Sequence, residues 1–364
     1  MKQFKKFNTY DYKEVNAGLK VLKKGELSKF IGAWSDNFYG GKYIKRMEKF
    51  YAKTFGVKYA ISVNSWSSGL VCSLGAIGLN PGDEVILPTW TMSACAASVL
   101  YWNAIPVFAD IEEDSLCIDP KSIIKNISKK TKAVMCVDIS GKSANMNEIK
   151  KIAKKYKLKI ISDSAQSPFA TYKGKKCGTI GDIGGISLNY HKHIHTGEGG
   201  VIFTNNKLLS EKCKMIRNHA EAVLKKRKFP MENMLGNNFR LGEIEAAIAI
   251  EQLKKLKMIV KKRIKISNYL TSKLSEIEGL KLPAIHNDFT NVYYTYPIVL
   301  KENFNFSRAK ILKYLKQYRI PNMSEGYENI HLLPAFQKKQ VYGNSNFPWN
   351  SEFNKRKISY KKGI

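Results

Sequence analysis

The sequence lacks long apolar segments. Its 364 residues hold no run that approaches the ~20 apolar residues a membrane helix needs, and the longest candidate, Met92–Trp102, is far too short. The N-terminal stretch is polar and mixed in charge, unlike a secretory signal peptide. We therefore expect no membrane insertion and a cytoplasmic location.

Cysteines are few and are not spaced for pairing or for metal binding. The six thiols are scattered, mostly within apolar segments, and no C-x-x-C pattern occurs. Disulfide frameworks and structural zinc sites depend on such spacing. We expect buried free thiols and predict no metal site.

Acidic residues are also scarce relative to basic ones. The chain has 30 aspartates and glutamates against 61 lysines and arginines, a formal net charge of +31. Such a surplus can indicate a non-catalytic protein that binds nucleic acid or a membrane surface. Lysine is spread along the chain, however, and the clusters Lys225–Lys228 and Lys254–Lys265 are typical of solvated helix faces. We expect no specific nucleic-acid binding, but some attraction for an anionic substrate.

Short β-branched runs alternate with helical patterns through the first two thirds of the chain. The strand candidates, such as residues 132–139 and 158–163, are almost continuously apolar, as strands covered on both faces must be. The pattern predicts an α/β protein with a mostly parallel sheet and helices on both faces.

Helical periodicity takes over after Arg240 and continues for more than 30 residues. It predicts two helices, or one bent helix, that lead away from the sheet. A smaller α+β region follows. We therefore predict two domains, residues 1–250 and residues 251–364.

Small polar and aromatic residues follow the first strand candidates, where ligands bind in open parallel sheets. Trp66 and Ser67 open a helix after residues 58–63, so their N–H groups could bind a phosphate, and an ordinary helix cap is the alternative. Trp90 follows the next strand candidate. It could stack on a flat heterocycle or belong to the core.

Two later segments carry ionisable residues. Asp163 ends an apolar strand candidate, and Gln166 follows it. A buried carboxylate needs a cation such as a pyridinium nitrogen, although Asp163 could also cap a helix. Lys192 precedes a glycine-rich stretch. A lysine enclosed in a site becomes a nucleophile that can form a Schiff base, whereas a solvated lysine is the alternative.

Histidines flank this lysine at alternate positions, His191, His193 and His195. On a strand the three imidazoles would share one face and could bind a metal. Only Glu198 offers a nearby carboxylate, so we favour Lys192 as the working residue. His193 or His191 could still help to move protons.

Together these segments supply a phosphate site, a stacking ring, an acid for a ring nitrogen and an amine for an aldehyde. That combination points to pyridoxal 5′-phosphate (PLP) as the cofactor.

The same segments resemble the DegT/DnrJ/StrS-type nucleotide-sugar aminotransferases, a branch of the fold-type I PLP enzymes, over nearly the whole chain. The matching stretches include "PGDEVILPTWT", "SDSAQSPFATYKGKKCGTIGDIGGISL", "KHIHTGEGGVIFTN" and "NNFRLGEIEAAI". The family pattern Ser-Phe-x-x-x-Lys-x-Ile-x-Thr-x-Glu-Gly-Gly maps onto Ser187–Gly200 without gaps. The resemblance implies that Lys192 forms the Schiff base, that Asp163 pairs with the pyridine nitrogen and that Gln166 lies near the ring oxygen. It also implies that Ser187 binds the phosphate, that Asn238 reaches the phosphate from the second subunit and that Trp90 stacks on the ring.

The resemblance also implies a reaction. We predict a PLP-dependent aminotransferase that moves an amino group from an amino acid, usually glutamate, to a keto-sugar nucleotide for glycan synthesis. A homodimer with shared active sites is expected. Related sugar dehydratases carry histidine in place of the lysine, and they remain the nearest alternative. The chain departs from the family at Trp66-Ser67, where Gly-Thr is usual. It also stops at "ISYKKGI", so we expect an incomplete small domain.

Overall fold

A computed structural model describes residues 7–33, 35–220, 234–284, 287–321, 323–354 and 356–360. Its centre is a seven-stranded sheet, and five further short strands lie outside it. In chain order the strands are β1 Tyr59–Val63, β2 Glu84–Pro88, β3 Ile105–Ala109, β4 Thr131–Val137, β5 Lys159–Asp163, β6 Thr171–Tyr172, β7 Lys175–Lys176, β8 Ile183–Ser187, β9 Gly200–Thr204, β10 Leu280–Lys281, β11 Phe289–Thr290 and β12 Val299–Leu300.

The central sheet has the strand order β1-β9-β8-β5-β4-β2-β3. The neighbours from β8 to β3 pair in parallel, and β9 runs antiparallel to both β1 and β8. The helices are α1 Tyr12–Lys24, α2 Lys42–Phe55, α3 Trp66–Ala76, α4 Ala94–Leu100, α5 Pro120–Asn126, α6 Met146–Tyr156, α7 Lys207–Arg217, α8 Glu243–Leu274, α9 Arg308–Gln317 and α10 Pro334–Gln337.

Apolar side chains cover both faces of the sheet. Along β9, Ile202 belongs to one buried cluster, while Val201 and Phe203 belong to another. This division follows from the alternation of side chains along a strand, and it requires helices on both sides. The predicted α/β fold with a mostly parallel sheet is confirmed.

The helical segment after Arg240 forms one continuous helix of 32 residues, α8, which packs against α1 and α2. Residue 250, the predicted domain boundary, lies inside this helix. In addition, Ile330 and Tyr360 from the C-terminal region belong to the same buried cluster as the sheet. The helix and this shared core join the two regions, and the two-domain division stays a prediction.

The structure describes one of the two lysine clusters and not the other. Lys225–Lys228 lies outside the described residues. In Lys254–Lys265, the expectation of a solvated face fails at Lys255, whose ammonium is 2.6 Å from the buried carboxylate of Glu14. It fails also at Arg263, which donates to the carbonyl of Tyr293. No described helix is long and apolar enough to cross a membrane.

Candidate active site

The strand register brings the predicted site residues to one edge of the sheet. Asp163, the last residue of β5, pairs with Gly185 of β8. Two residues further along β8, Ser187 pairs with Gly200 of β9, which also pairs with the last residue of β1. Because α3 begins directly after β1, its N-terminus lies at the same edge.

Asp163 is almost completely buried, with 4% of its surface exposed. Its Oδ1 accepts the N–H of Ala165 at 3.0 Å and the indole N–H of Trp66 at 2.6 Å, and its Oδ2 accepts the thiol of Cys95 at 3.3 Å. Burial raises the pKa of this carboxyl, while the hydrogen bonds and the charge of Lys192 lower it. A cation beside Oδ2 would therefore stabilise the ionised form.

Lys192 lies in the loop between β8 and β9. Its Nζ is 4.4 Å from the centre of the Tyr294 ring, a cation–π distance. Burial lowers the pKa of Lys192 to about 8, although the negative charge of Asp163 opposes the shift. A lysine with this pKa has a substantial neutral fraction near neutral pH, so it can act as a nucleophile.

The N-terminus of α3 presents backbone N–H groups that could bind a phosphate. Ser65 caps the helix and accepts the N–H of Ser68. The N–H groups of Trp66 and Ser67, in the first turn, have no partner within the helix. Ser187 is buried, and its hydroxyl accepts the N–H of Asn189 at 3.2 Å. An anion at this edge would meet a helix N-terminus and a hydroxyl together.

Gln166 and Trp90 both donate a hydrogen bond to Tyr327, a residue of the C-terminal region. Gln166 Oε1 accepts the N–H of Ser140, and its Nε2 donates to the hydroxyl of Tyr327 at 2.9 Å. The indole N–H of Trp90 donates to the carbonyl of Tyr327, and the two rings pack edge to face. Trp90 therefore packs with Tyr327 as an aromatic pair beside Gln166.

Sequence reasoning missed Tyr294 and Tyr327. Both are aromatic residues of the region after α8, and both approach the site from more than 100 residues away. The aromatic run at residues 291–296 and the segment before His331 are the only signals in the sequence, and neither has the spacing of a recognisable motif.

Residues 188–199 form a loop rather than a strand, so the three histidines do not line one face of a strand, although His191 and His193 both lie near the Tyr294 ring. His193 is buried and its Nε2 lies 2.9 Å from the carbonyl of Val292. Burial lowers the pKa of His193 to about 3. His195 packs on the Tyr10 ring, and His191 packs on Tyr190. No group of three possible metal ligands occurs among the described residues.

Asn238 is exposed and bonded within its own neighbourhood. Its carbonyl accepts the side-chain N–H of Asn64, and its Oδ1 accepts Nε of Arg240 at 2.8 Å. Asn64 directly precedes the cap of α3, and its Oδ1 accepts the hydroxyl of Ser68. Within one chain, Asn238 is thus near the end of β1 without a hydrogen bond to Asp163, Lys192 or Ser187 in the described structure.

The donor set fits PLP. An amine with a lowered pKa can react with an aldehyde, a buried carboxylate can keep a pyridine nitrogen protonated, and a helix N-terminus beside a hydroxyl can hold a phosphate. The structure gathers all three at one edge of one sheet, where Lys192, Asp163 and the start of α3 are neighbours.

Comparisons with known proteins show the family of this chain. Residues 28–361 match the model of the DegT/DnrJ/EryC1/StrS aminotransferase family. A GDP-perosamine synthase of Caulobacter vibrioides is 33% identical over 298 residues, which cover 81% of this chain and 79% of that protein.

Solved structures show the same fold. An aminotransferase from Psychrobacter cryohalolentis superposes with a TM-score of 0.83 at 27% identity, covering 97% of this chain and 92% of the other. An E. coli GDP-4-keto-6-deoxy-D-mannose-3-dehydratase with bound hydrated PLP has a TM-score of 0.76 at 27% identity and covers 86% and 82%. This chain belongs to the DegT/DnrJ/EryC1/StrS aminotransferase family.

Proposed function

We propose that the protein is a PLP-dependent aminotransferase that moves an amino group from an amino acid, glutamate by preference, to a keto-sugar nucleotide. The product would be a precursor of a cell-surface polysaccharide or another glycan. Family membership supports the reaction class, and the Caulobacter vibrioides relative supports a nucleotide-linked sugar as acceptor.

The observation that carries this proposal is that Lys192 and the buried Asp163 lie close enough in one site for their charges to interact. The two groups influence each other's pKa, and each would be costly to bury without a ligand that uses it. A binding protein would not need an amine with a lowered pKa next to a buried acid.

Each residue then has a defined task. Lys192 Nζ would hold the cofactor and, once free, would move a proton to and from Cα of the amino donor. Asp163 Oδ2 would keep the pyridine nitrogen protonated. When bound, PLP supplies a ring that accepts the electrons left on Cα. The first N–H groups of α3 and the Ser187 hydroxyl would bind the phosphate, and Trp90 and Gln166 would line the ring.

Incubation with a panel of keto-sugar nucleotides and glutamate, with products detected by mass, tests the proposal. We expect an amino sugar and 2-oxoglutarate in equal amounts, with ping-pong kinetics. Lys192→Ala is the matched control and should yield neither. A protein that binds PLP but converts none of the panel with any amino donor would contradict the assignment of substrate class.

A sugar dehydratase is the second candidate, because the E. coli dehydratase shares the fold. The placement of Lys192 speaks against it. The charge of Lys192 lowers the pKa of Asp163, whereas Nε2 of the neighbouring His193 lies 2.9 Å from the carbonyl of Val292. The same mass assay separates the two reactions, since a dehydratase would give a product that has lost water and gained no nitrogen.

We further propose a homodimer in which Asn238 contacts the phosphate bound by the partner subunit. The support is that Asn238 is exposed and that, in the described structure, it makes no hydrogen bond to Asp163, Lys192 or Ser187 of its own chain. A phosphate with two charges needs more donors than one helix N-terminus offers.

Mixed dimers test the shared site. Lys192→Ala and Asn238→Trp should each inactivate the homodimer. In a mixed dimer one site carries both defects and the other neither, so about half of the native activity per heterodimer should return. If heterodimers form and remain inactive, Asn238 acts within its own chain.

We also propose a cytoplasmic location and no specific nucleic-acid partner. Six buried free cysteines and nucleotide-linked substrates support the location. The charge of +31 would then be a lysine bias. Binding to DNA should be weak and should vanish at physiological salt. Sequence-specific binding that survives physiological salt would instead favour the basic binding protein.

A further inference from the structure

The side chain of Trp66 points at the acid of the site. Its backbone N–H opens α3, but its indole is buried, with 6% of the residue exposed, and the indole N–H donates to Asp163 Oδ1 at 2.6 Å. One residue thus belongs to the phosphate-binding helix terminus through its main chain and to Asp163 through its side chain.

The two oxygens of Asp163 are used unequally. Oδ1 accepts two N–H donors, the Trp66 indole and the Ala165 main chain. Among the described residues, Oδ2 accepts only the thiol of Cys95, at 3.3 Å, and a thiol is a weak donor. The indole therefore fixes the carboxylate so that Oδ2 remains open to a stronger, cationic donor.

Two glycines make room for the indole. A Cβ on Gly185 would overlap the six-membered ring of Trp66, and a Cβ on Gly69 would lie 2.7 Å from the same ring. Gly185 is also the residue that pairs with Asp163 across β5 and β8. The indole lies against β8 beside the acid, so its position is built into the sheet and the helix alike.

We propose that Trp66 is a positioning residue for Asp163, which orients the carboxylate and favours its ionised form toward the pyridine nitrogen of the cofactor. The proposal rests on the proposed function. A hydrogen bond to a charged acceptor in a buried site favours the ionised state and restricts rotation of the carboxylate. Trp66 would thereby couple the phosphate end of the site to its ring end.

The test compares the affinities of two ligands for cofactor-free protein by absorbance titration. One is PLP, and the other is its 1-deaza analogue, in which carbon replaces the ring nitrogen. Native protein should prefer PLP, because only PLP offers an N–H to Asp163. Trp66→Phe keeps an aromatic ring and removes the donor, and it should reduce this preference about tenfold.

Trp102→Phe is the matched control. The indole of Trp102 donates to the carbonyl of Val71 at 2.9 Å, away from Asp163, and its loss should leave the preference unchanged. If Trp66→Phe weakens both ligands equally, Trp66 only fills space and the proposal fails. Native protein that binds PLP but shows no preference also overturns it. Native protein that binds neither ligand contradicts the proposed function itself.

Native protein supplies a second measurement should Trp66→Phe not fold. Its five tryptophans give five indole N–H signals in a ¹⁵N-correlated NMR spectrum. We expect one signal shifted far downfield by the carboxylate, and Asp163→Asn should move that signal. A spectrum in which Asp163→Asn shifts no indole signal would refute the hydrogen bond.

Discussion

Two enclosed lysines of this protein have opposite surroundings. Lys142 has 1% of its surface exposed, and its ammonium donates to the carbonyl of Asp114 at 2.5 Å. The carboxylates of Asp114 and Glu112 are also near enough to raise its pKa against the larger lowering effect of burial. Lys192 is less buried, but among the described residues its Nζ has no hydrogen-bond acceptor and faces the Tyr294 ring.

Burial alone therefore does not make a lysine reactive. A hydrogen-bonded ammonium among carboxylates is a structural cation, whereas an ammonium that meets only a ring face and a single buried acid can give up its proton. Among the basic residues that the structure describes, this combination rather than charge points to Lys192.

Lys192→Ala should have the largest effect. We expect turnover to fall by about 10³-fold or more, because both the covalent link to the cofactor and the proton carrier are lost. Thermal unfolding should show no loss of stability, since an ammonium without a hydrogen bond is removed. Lys151→Ala, at an exposed lysine paired with Glu148, is the control and should keep native turnover. Native turnover in the Lys192→Ala variant would show that Lys192 is no more reactive in catalysis than Lys142.

Asp163→Asn should have the next largest effect. The change preserves shape and removes the charge that favours a protonated pyridine nitrogen, so turnover should fall by about 10²-fold while PLP remains bound. Steady-state kinetics and absorbance measure the two quantities separately. A near-native rate would show that the ring nitrogen does not depend on this residue.

The acylation rate of Lys192 in cofactor-free protein should depend on pH differently from that of exposed lysines. Its pKa of about 8 means that the reactive neutral amine is half formed near pH 8 and decreases about tenfold per unit below that. Lys151 is a useful reference because its hydrogen bond to Glu148 raises its pKa. Competitive acylation followed by peptide mass analysis gives both profiles. Identical profiles would contradict the lowered pKa.

Lys142→Met should have the smallest effect on chemistry and a measurable one on stability. The variant loses a buried charged hydrogen bond to Asp114, so the free energy of unfolding should fall by about 1–3 kcal/mol. PLP binding should persist. Urea unfolding checks the first point and absorbance the second. Loss of PLP binding in a folded Lys142→Met protein would place Lys142 in the site.

The strands and the family could be predicted from the sequence, because each depends on local signals. Continuous apolar runs identified the central strands, and the spacing from Ser187 to Gly200 matched the family pattern. Asp163 and Lys192 were predicted because ligands bind at the strand ends of a parallel sheet, and their roles stay predictions. The predicted family, fold and reaction class are confirmed.

Contacts between distant segments could not be predicted. The Trp66 indole donates to Asp163 in a space that Gly69 and Gly185, on two different segments, leave open. Tyr327 reaches Gln166 across 161 residues. The alternative in which the histidines share a face assumed a strand, and residues 188–199 form a loop. Such contacts depend on packing, which local periodicity does not encode.

Borohydride reduction of the PLP-loaded protein tests the central claim most directly. The reagent converts a Schiff base into a stable amine, so the labelled peptide identifies the lysine that holds the cofactor. We predict one label per chain, on Lys192, with none on Lys142. A label on any other lysine, or a loaded protein that takes no label, would contradict the assignment of Lys192.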